Sequence, residues 1–215
     1  MSLNKKIGCF LGCILLLFCI FYSGVYYFAH TENQESYDST QTIGDLGDVD
    51  PNYLSYVQTY INMFELDSNR NFKPQDNLTR MDALIIIDKI AKQVDSKYNT
   101  TKPTIVPYFD DFKSSDSNSD VVLRVVNLID SKDGYYKHYN ILGYQLNKQD
   151  AITNREFLTL LAVFLPVDKS IGDDYILKNM INYGFDLDGN LDEPISRQKA
   201  AYYISKIMSN FSNKK

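Results

Sequence analysis

Three stretches of this sequence share one short pattern: Asn77-Leu-Thr-Arg-Met-Asp-Ala83, Ala151-Ile-Thr-Asn-Arg-Glu-Phe157 and Pro194-Ile-Ser-Arg-Gln-Lys-Ala200. Each follows a turn-rich loop and precedes a run in which apolar residues recur at helical spacing. A unit that cannot bury its own apolar face must pack against its copies, so this repetition decides the architecture. We therefore predict an all-α fold in which three helix–loop–helix units pack around a pseudo-threefold axis.

Apolar residues at steps of three and four predict two helices in each copy. In the first copy they are Leu54, Val57, Ile61 and Phe64 before the loop, and Leu84, Ile87, Ala91 and Val94 after it. In the second they are Val121, Val122, Val125 and Ile129, then Phe157, Leu160, Leu161 and Phe164. In the third they are Ile176 and Met180, then Ala200, Tyr203, Ile204 and Ile207. We expect one shared core containing Leu84, Ile87, Ile90, Leu161, Ile204 and Ile207.

The N-terminal part of the chain has a different composition. Residues 7–29 carry no formal charge and are mostly apolar, and a membrane-spanning helix needs about 20 such residues. Lys5 and Lys6 precede this stretch and acidic residues follow it, which predicts that residues 1–6 are cytoplasmic and that the remainder is extracytoplasmic. The alternative is a cleaved signal segment, or lipoprotein cleavage at Cys13. Residues 30–45 are acidic and polar, which predicts a flexible linker.

Composition and spacing exclude several classes of function. All three cysteines lie within residues 7–29, so the rest of the chain has no disulfide, thiol nucleophile or cysteine metal site. The formal net charge is −5, without the clustered Lys and Arg that nucleic acid requires. His30 and His138 lack metal-ligand spacing, and His138 is expected in an exposed loop. Residues 186–193 lack the spacing of an EF-hand. We predict no metal, no cofactor and no enzymatic activity.

Two of the three repeats have the spacing of a helix capping box, in which a hydroxyl and an acid satisfy each other's backbone amides. These pairs are Thr79 with Asp82 and Thr153 with Glu156. In the third repeat Ser196 keeps the cap, but a lysine at position 199 replaces the acid and loses the reciprocal bond. We therefore assign these hydroxyl and acidic residues a structural role at the starts of the second helices.

Capping does not explain Arg80 and Arg197, which follow the cap directly. A cation at a helix N-terminus opposes the helix dipole, at a cost of up to about 1 kcal/mol. One explanation is an anion held jointly by free amides and the guanidinium. The other is that each arginine pairs with a nearby aspartate, such as Asp48, Asp110 or Asp111, and so joins two units. Both explanations stay open from the sequence.

These patterns resemble the S-layer homology (SLH) domain of bacterial surface proteins. An SLH unit opens with Phe-x-Asp-Val and passes through a loop ending in Phe-x-Pro to Thr-Arg-Ala-Glu on a second helix. Phe72-Lys-Pro-Gln-Asp-Asn-Leu-Thr-Arg-Met-Asp-Ala83 is similar to the closing part, and Phe109-Asp-Asp-Phe112 to the opening of a second unit. Leu46-Gly-Asp-Val49 is a weaker opening for the first unit, and Tyr183–Asn190 resembles the loop of the third. The implied units are 46–98, 105–166 with an insertion at 132–139, and 167–211.

The resemblance implies a membrane-anchored, extracytoplasmic protein that binds secondary cell-wall polysaccharide without a covalent bond. The implied ligand group is the ketal-pyruvate carboxylate of that polysaccharide, bound by Arg80, Arg197, Asp48 and Asp111. The chain departs from the family in having no Trp, a residue usually found near the sugar site. Asn154 also occupies the arginine position of the second repeat. A second function therefore stays open: a membrane-tethered envelope scaffold whose units bind a protein partner.

Overall fold

The computed structural model describes residues 43–100, 102–104, 107, 109–132, 136–166, 172–187 and 189–212. Within these ranges no helix is long and apolar enough to cross a membrane. The predicted anchor at 7–29 and the segments on either side of it, 1–6 and 30–42, lie outside the described residues. Ile43, which the sequence placed in the linker, belongs to the folded unit, and its side chain is buried against the core.

Seven α-helices are the main regular elements of the described chain. They are α1 (Leu54–Tyr60), α2 (Arg80–Val94), α3 (Ser119–Asp130), α4 (His138–Leu142), α5 (Asn154–Leu161), α6 (Asp173–Met180) and α7 (Arg197–Ser212). The described residues contain isolated β-bridges but no β-strand, so the predicted all-α class is confirmed for them. Helix α4 was not predicted; it begins within the insertion 132–139 and ends just beyond it.

Helices α1 and α5 are shorter than the apolar periodicity predicted. Helix α1 ends at Tyr60, and the 3₁₀-helix Ile61–Met63 follows it before Phe64. Helices α5 and α6 likewise continue into 3₁₀-helices, Ala162–Phe164 and Ile181–Tyr183. Such tight final turns satisfy carbonyls that an α-helix would leave unpaired at its end.

The predicted capping boxes are present. The Asp82 amide donates to Thr79 Oγ1 over 3.0 Å, and the Thr79 amide donates to the Asp82 carboxylate over 3.3 Å. In the second repeat, the Glu156 amide donates to Thr153 Oγ1 over 3.2 Å, and the return bond is 2.9 Å long. These reciprocal bonds fix the first turns of α2 and α5.

The third repeat keeps only half of this arrangement. The amide of Lys199 donates to Ser196 Oγ over 3.4 Å. A lysine side chain cannot accept the return bond from the Ser196 amide, because an ammonium group has no acceptor. The start of α7 is therefore capped more weakly than the starts of α2 and α5.

The three repeated phrases bond to one another in a cycle. The Leu78 amide donates to the Ile195 carbonyl (2.8 Å), Ile195 to Ile152 (3.0 Å), and Ile152 back to Leu78 (2.9 Å). Three isolated antiparallel bridges, Asn77–Ser196, Thr79–Ala151 and Thr153–Pro194, follow the same cycle. All three central apolar side chains are fully buried. The three phrases therefore meet in the buried core through the second residue of each phrase.

The helices follow the same order of contact. The first helix of each copy packs against the second helix of the preceding one: α3 on α2, α6 on α5, and α1 on α7. The contact of α1 with α7 joins the beginning and the end of the folded unit. The six residues that we expected to share one core all belong to a single buried cluster, so that prediction is confirmed.

Candidate functional site

The backbone amides at the starts of α2 and α7 are hydrogen-bonded within the protein. The amide of Arg80 donates to the Asp150 carbonyl (2.9 Å), and the amide of Arg197 donates to the Asp76 carbonyl (2.9 Å). The amides of the next residues, Met81 and Gln198, also donate to carbonyls of neighbouring copies. These amides are not free to hold an anion, which removes one of the two physical reasons for expecting a carboxylate ligand there.

The Arg80 side chain binds the second copy. Its Nη1 donates to the carbonyls of Leu142 (2.7 Å) and Gln145 (3.1 Å), and its Nη2 forms an ion pair with Glu156. Only 14% of the Arg80 side chain is exposed. The structure therefore places Arg80 in a contact between units, as the second sequence interpretation proposed. Its acidic partner is the capping residue Glu156 rather than Asp48, Asp110 or Asp111.

Arg197 makes the equivalent contact from the third copy to the first. Its Nε donates to the Phe72 carbonyl (2.7 Å), its Nη2 donates to the Glu65 carbonyl (2.5 Å), and its Nη1 lies 3.6 Å from Asp82. The guanidinium also lies over the rings of Phe64 and Phe72. Burial lowers the pKa of Arg197, and the surrounding carboxylates partly oppose that shift. Like Arg80, this arginine is largely occupied by groups of the protein itself.

These two contacts define a rule for the junctions between copies. The arginine that begins one second helix pairs with the capping acid of the next: Arg80 with Glu156, and Arg197 with Asp82. At the remaining junction the same rule would pair position 154 with position 199, which are Asn154 and Lys199. Asn154 and Lys199, where the second and third repeats depart from the pattern of the first, therefore occupy the corresponding positions of one junction. An arginine at position 154 would face a lysine instead of an acid.

Asn154 forms a hydrogen bond to the neighbouring copy with an uncharged side chain. Its Nδ2 donates to the Glu193 carbonyl over 2.8 Å, and the side chain is almost fully buried. Its Oδ1 has no hydrogen-bond partner among the described residues. The adjacent Arg155 supplies ion pairs to the third copy, with 2.9 Å contacts to Asp192 and Asp174. At this junction the guanidinium belongs to the second residue of the helix instead of the first, and it lies on the surface.

The predicted opening motif of the first copy is displaced by three residues. Asp111 of the second copy accepts bonds from the amides of Leu146 (2.7 Å) and Asn147 (2.8 Å). In the first copy the same role belongs to Asp45, which accepts from the amides of Phe72 and Lys73. Asp48 is exposed at the end of a short 3₁₀-helix. The motif is therefore Ile43-Gly-Asp-Leu46, and Asp48 does not occupy the expected site position.

The spacing between the opening aspartate and its loop could have identified Asp45 from the sequence. Its partner Phe72 lies 27 residues further on, whereas Asp111 and Leu146 are 35 residues apart. The difference of eight equals the length of the insertion 132–139. For Asp111, burial alone would raise the pKa, but the two amide bonds and the charge of Lys148 outweigh burial and lower it. These aspartates hold their loops in place.

One polar cleft lies at the junction of the third and first copies. Its volume is about 250 Å³. It brings together three of the predicted site residues, Thr79, Asp82 and Arg197, whereas Asp48 does not line it. The lining residues are Glu65, Leu66, Asp67, Asn71, Phe72, Lys73, Asp76, Asn77, Thr79, Asp82 and Arg197. Three more of the predicted residues, Arg80, Glu156 and Asp111, lie at the junction of the first and second copies. There Arg80 binds Glu156 and the Leu146 carbonyl, and Asp111 accepts the Leu146 amide.

His138 is buried, so the prediction of an exposed loop residue is wrong. Its Nδ1 lies 2.8 Å from the Asp130 carboxylate, which also accepts the His138 backbone amide (2.7 Å). The imidazole packs edge-to-face on Phe109. Tertiary contacts of this kind, between an insertion and the end of α3, have no local sequence signal. Within the described ranges, no group of three or more His, Cys, Asp or Glu side chains is arranged to hold a metal ion.

A buried ionic cluster centred on Asp88 also joins the first two copies. Asp88 on α2 is 2% exposed and accepts two bonds from Arg124 on α3, at 2.8 and 3.0 Å. The Tyr98 hydroxyl donates to it over 2.9 Å, and Lys92 lies 2.7 Å away. Burial alone would raise the pKa of Asp88, but these donors and the charge of Arg124 outweigh burial and lower it. The cluster is a structural contact between helices.

Comparisons with known proteins do not assign this site to a family. The residues that join the copies are defined by their contacts, and the polar cleft is defined by its lining. Any assignment of function therefore depends on these contacts and on the sequence patterns described above. No protein-family model, no curated protein and no solved structure matches this chain.

Proposed function

We propose that this chain is an extracytoplasmic SLH-like module that binds secondary cell-wall polysaccharide and is tethered to the membrane by residues 7–29. In this proposal its three segments are copies of one unit around a pseudo-threefold axis. The cyclic hydrogen bonds among Leu78, Ile152 and Ile195 support that arrangement. The matching order of helix contacts, which closes through α1 and α7, supports it independently.

The observation that carries polysaccharide binding is the polar cleft between the third and first copies. Its rim includes the exposed residues Lys73, Asp76 and Asn77, whose side chains can donate to or accept from sugar hydroxyls. Specificity in such sites comes from a few placed polar groups. The cleft is thus chemically suited to a hydroxyl-rich polymer.

The charges of the cleft favour hydroxyl groups over the ketal-pyruvate carboxylate. Four carboxylates and two cations line it. The two cations are already engaged, since Lys73 lies 3.3 Å from Asp67 and Arg197 is held by carbonyls and Asp82. A carboxylate ligand would meet net negative charge, and like charges disfavour one another at short range.

Retention on wall polysaccharide tests the proposal. The double variant Asp76→Ala/Asn77→Ala removes two exposed side chains at the rim of the cleft and leaves their backbone bonds intact. We expect affinity for solubilised polysaccharide to fall by about tenfold or more, because contact side chains that matter cost over about 1 kcal/mol when truncated. Asn52→Ala, an exposed asparagine that does not line the cleft, is the matched control. Equal binding by all three proteins would contradict the assignment of this cleft.

The scaffold function remains the second candidate, and one observation favours it. Ile181 and Tyr175, at the end and on the first turn of α6, are 55% and 40% exposed. Exposed apolar side chains of this size can contribute to the apolar centre of a contact with a protein partner. Under this alternative, the double variant Ile181→Ser/Tyr175→Ser would lose an envelope protein from co-purification, and wall polysaccharide would not bind the wild-type chain.

A further inference from the structure

Two tyrosines form a parallel stack on the surface of the second copy. The rings of Tyr139 and Tyr144 are tilted by only 2°, and their centroids are 5.6 Å apart. Parallel rings at this separation are offset-stacked, which is a favourable aromatic geometry. Tyr144 is 62% exposed, more than any other large apolar side chain in the described part of the chain. Tyr139 stacks against one face of the ring, and most of Tyr144 stays accessible to solvent.

The segment that carries Tyr144 is held from both sides. Gly143 has φ +75°, which turns the chain out of α4 and is a conformation that suits glycine. The Tyr144 carbonyl accepts the Asp110 amide over 2.8 Å. Arg80 Nη1 binds the carbonyl before this pair, at Leu142, and the carbonyl after it, at Gln145. The ring is thus presented by an ordered backbone, so a ligand would lose little affinity to the cost of ordering it.

The chemistry around the ring indicates the class of ligand. The exposed residues that follow the two tyrosines in the chain, Asn140 and Gln145, are polar, and so is Asp110, which is exposed and bonded to the Tyr144 carbonyl. An aromatic face next to amide and carboxylate groups matches a pyranose, whose C–H face packs on a ring while its hydroxyls make hydrogen bonds at the edge. A protein partner would need a contact area of about 800 Å² on each side with an apolar centre. A single ring with a polar border favours the sugar.

We propose that Tyr144, supported by Tyr139, is an aromatic platform for one pyranose ring of the wall polysaccharide. This inference rests on the proposed function, but it concerns a surface that the cleft at the third and first copies does not include. It also gives Arg80 an indirect part in recognition. Arg80 is a positioning residue that holds the two carbonyls on either side of Gly143 and Tyr144, and it does not touch the ligand.

The experiment measures the affinity of the full chain for solubilised wall polysaccharide by titration calorimetry. We expect Tyr144→Ala to weaken binding about tenfold and Tyr144→Leu to weaken it to a similar degree, because both lose the aromatic face. Tyr144→Phe keeps the face and should bind within about twofold of wild type. Tyr175→Ala, which removes another exposed tyrosine, is the matched control and should bind as wild type does.

The positioning role of Arg80 has its own readout. Arg80→Lys should weaken polysaccharide binding and increase the rate of proteolytic cleavage after Tyr144, because an ammonium cannot reproduce the planar fork of the guanidinium. A purely structural arginine would lower the melting temperature without this local cleavage.

The outcomes separate the two proposals. If wild type binds the polysaccharide and Tyr144→Ala binds equally well, the platform is wrong and the proposed function survives. If wild type does not bind, both are overturned. If Tyr144→Ala loses a co-purifying protein while its polysaccharide affinity is unchanged, the stack is a protein contact and the sugar assignment is refuted. A loss shared by Tyr144→Ala and Tyr144→Leu but not by Tyr144→Phe or Tyr175→Ala supports the platform.

Discussion

The junction between the second and third copies offers a direct test of how the copies are joined. If the first residue of α5, Asn154, and the third residue of α7, Lys199, are in contact, the effects of Asn154→Arg and Lys199→Glu on stability should depend on each other. Asn154 is 4% exposed. A guanidinium introduced there would be nearly as buried as Arg197, which is 8% exposed, but would face an ammonium. A buried charge without its partner costs about 3 to 5 kcal/mol, so we expect a loss of about 3 kcal/mol.

The partner substitution should be nearly neutral by itself. Lys199→Glu restores an acceptor for the Ser196 amide and favours the helix dipole, a gain of about 0.5 to 1 kcal/mol. It also removes the contact of the Lys199 ammonium with the Tyr203 ring, 5.7 Å from the centroid, which costs a similar amount. In the double variant the introduced guanidinium and carboxylate form the pair that the other two junctions have. We expect a favourable coupling of about 1 to 3 kcal/mol.

Urea unfolding followed by far-ultraviolet circular dichroism measures all four proteins of this cycle. A cycle at Arg80 and Glu156, with Arg80→Met and Glu156→Gln, is the control and should give coupling of the same sign, because that pair is present. Effects at 154 and 199 that add within about 0.5 kcal/mol would mean that the two positions do not interact. The rule for the junctions would then be refuted.

Three further predictions concern stability. Asp88→Asn should lower the free energy of unfolding by about 3 kcal/mol in urea melts, because it breaks a buried ion pair with Arg124; a change below about 1 kcal/mol would contradict this. The lowered pKa of Asp88 means that its contribution is present above the usual carboxyl pKa of about 4 and is lost as pH falls through the folded-state pKa. The urea midpoint should therefore drop between pH 7 and pH 3, and drop less in Asp88→Asn. Deleting all residues after Asp168 removes α6 and α7, so α1 loses its packing partner; calorimetry should show no cooperative transition, and an unchanged melting temperature would show that the units fold independently.

The helices and their caps could be predicted from the sequence because their signals are local. Apolar spacing and a hydroxyl three residues before an acid depend only on neighbouring positions, and α2 begins after Thr79 as expected. The opening motif of the first copy was harder, because Gly44-Asp45-Leu46 and Gly47-Asp48-Val49 are alike. The spacing to the loop distinguishes them once the insertion 132–139 is allowed for, and in the structure the loop amides donate to Asp45 rather than to Asp48.

The role of the arginines could not be decided from the sequence alone. Spacing shows that Arg80 opposes a helix dipole, but its carbonyl acceptors are more than 60 residues away. The hypothesis of an anion at the helix start required free amides, and those amides bond to other copies. The burial of His138 is a similar case, because it depends on Asp130 and Phe109, which belong to other elements. Contacts between distant segments decide these points.

The central claim, that this chain binds wall polysaccharide, is tested most directly by co-sedimentation of the full chain with purified cell walls. The measurement compares intact walls with walls from which the secondary polysaccharide has been removed. The proposed function predicts that the chain sediments with intact walls and stays in the supernatant with stripped walls. Sedimentation with neither preparation, or equally with both, would contradict it.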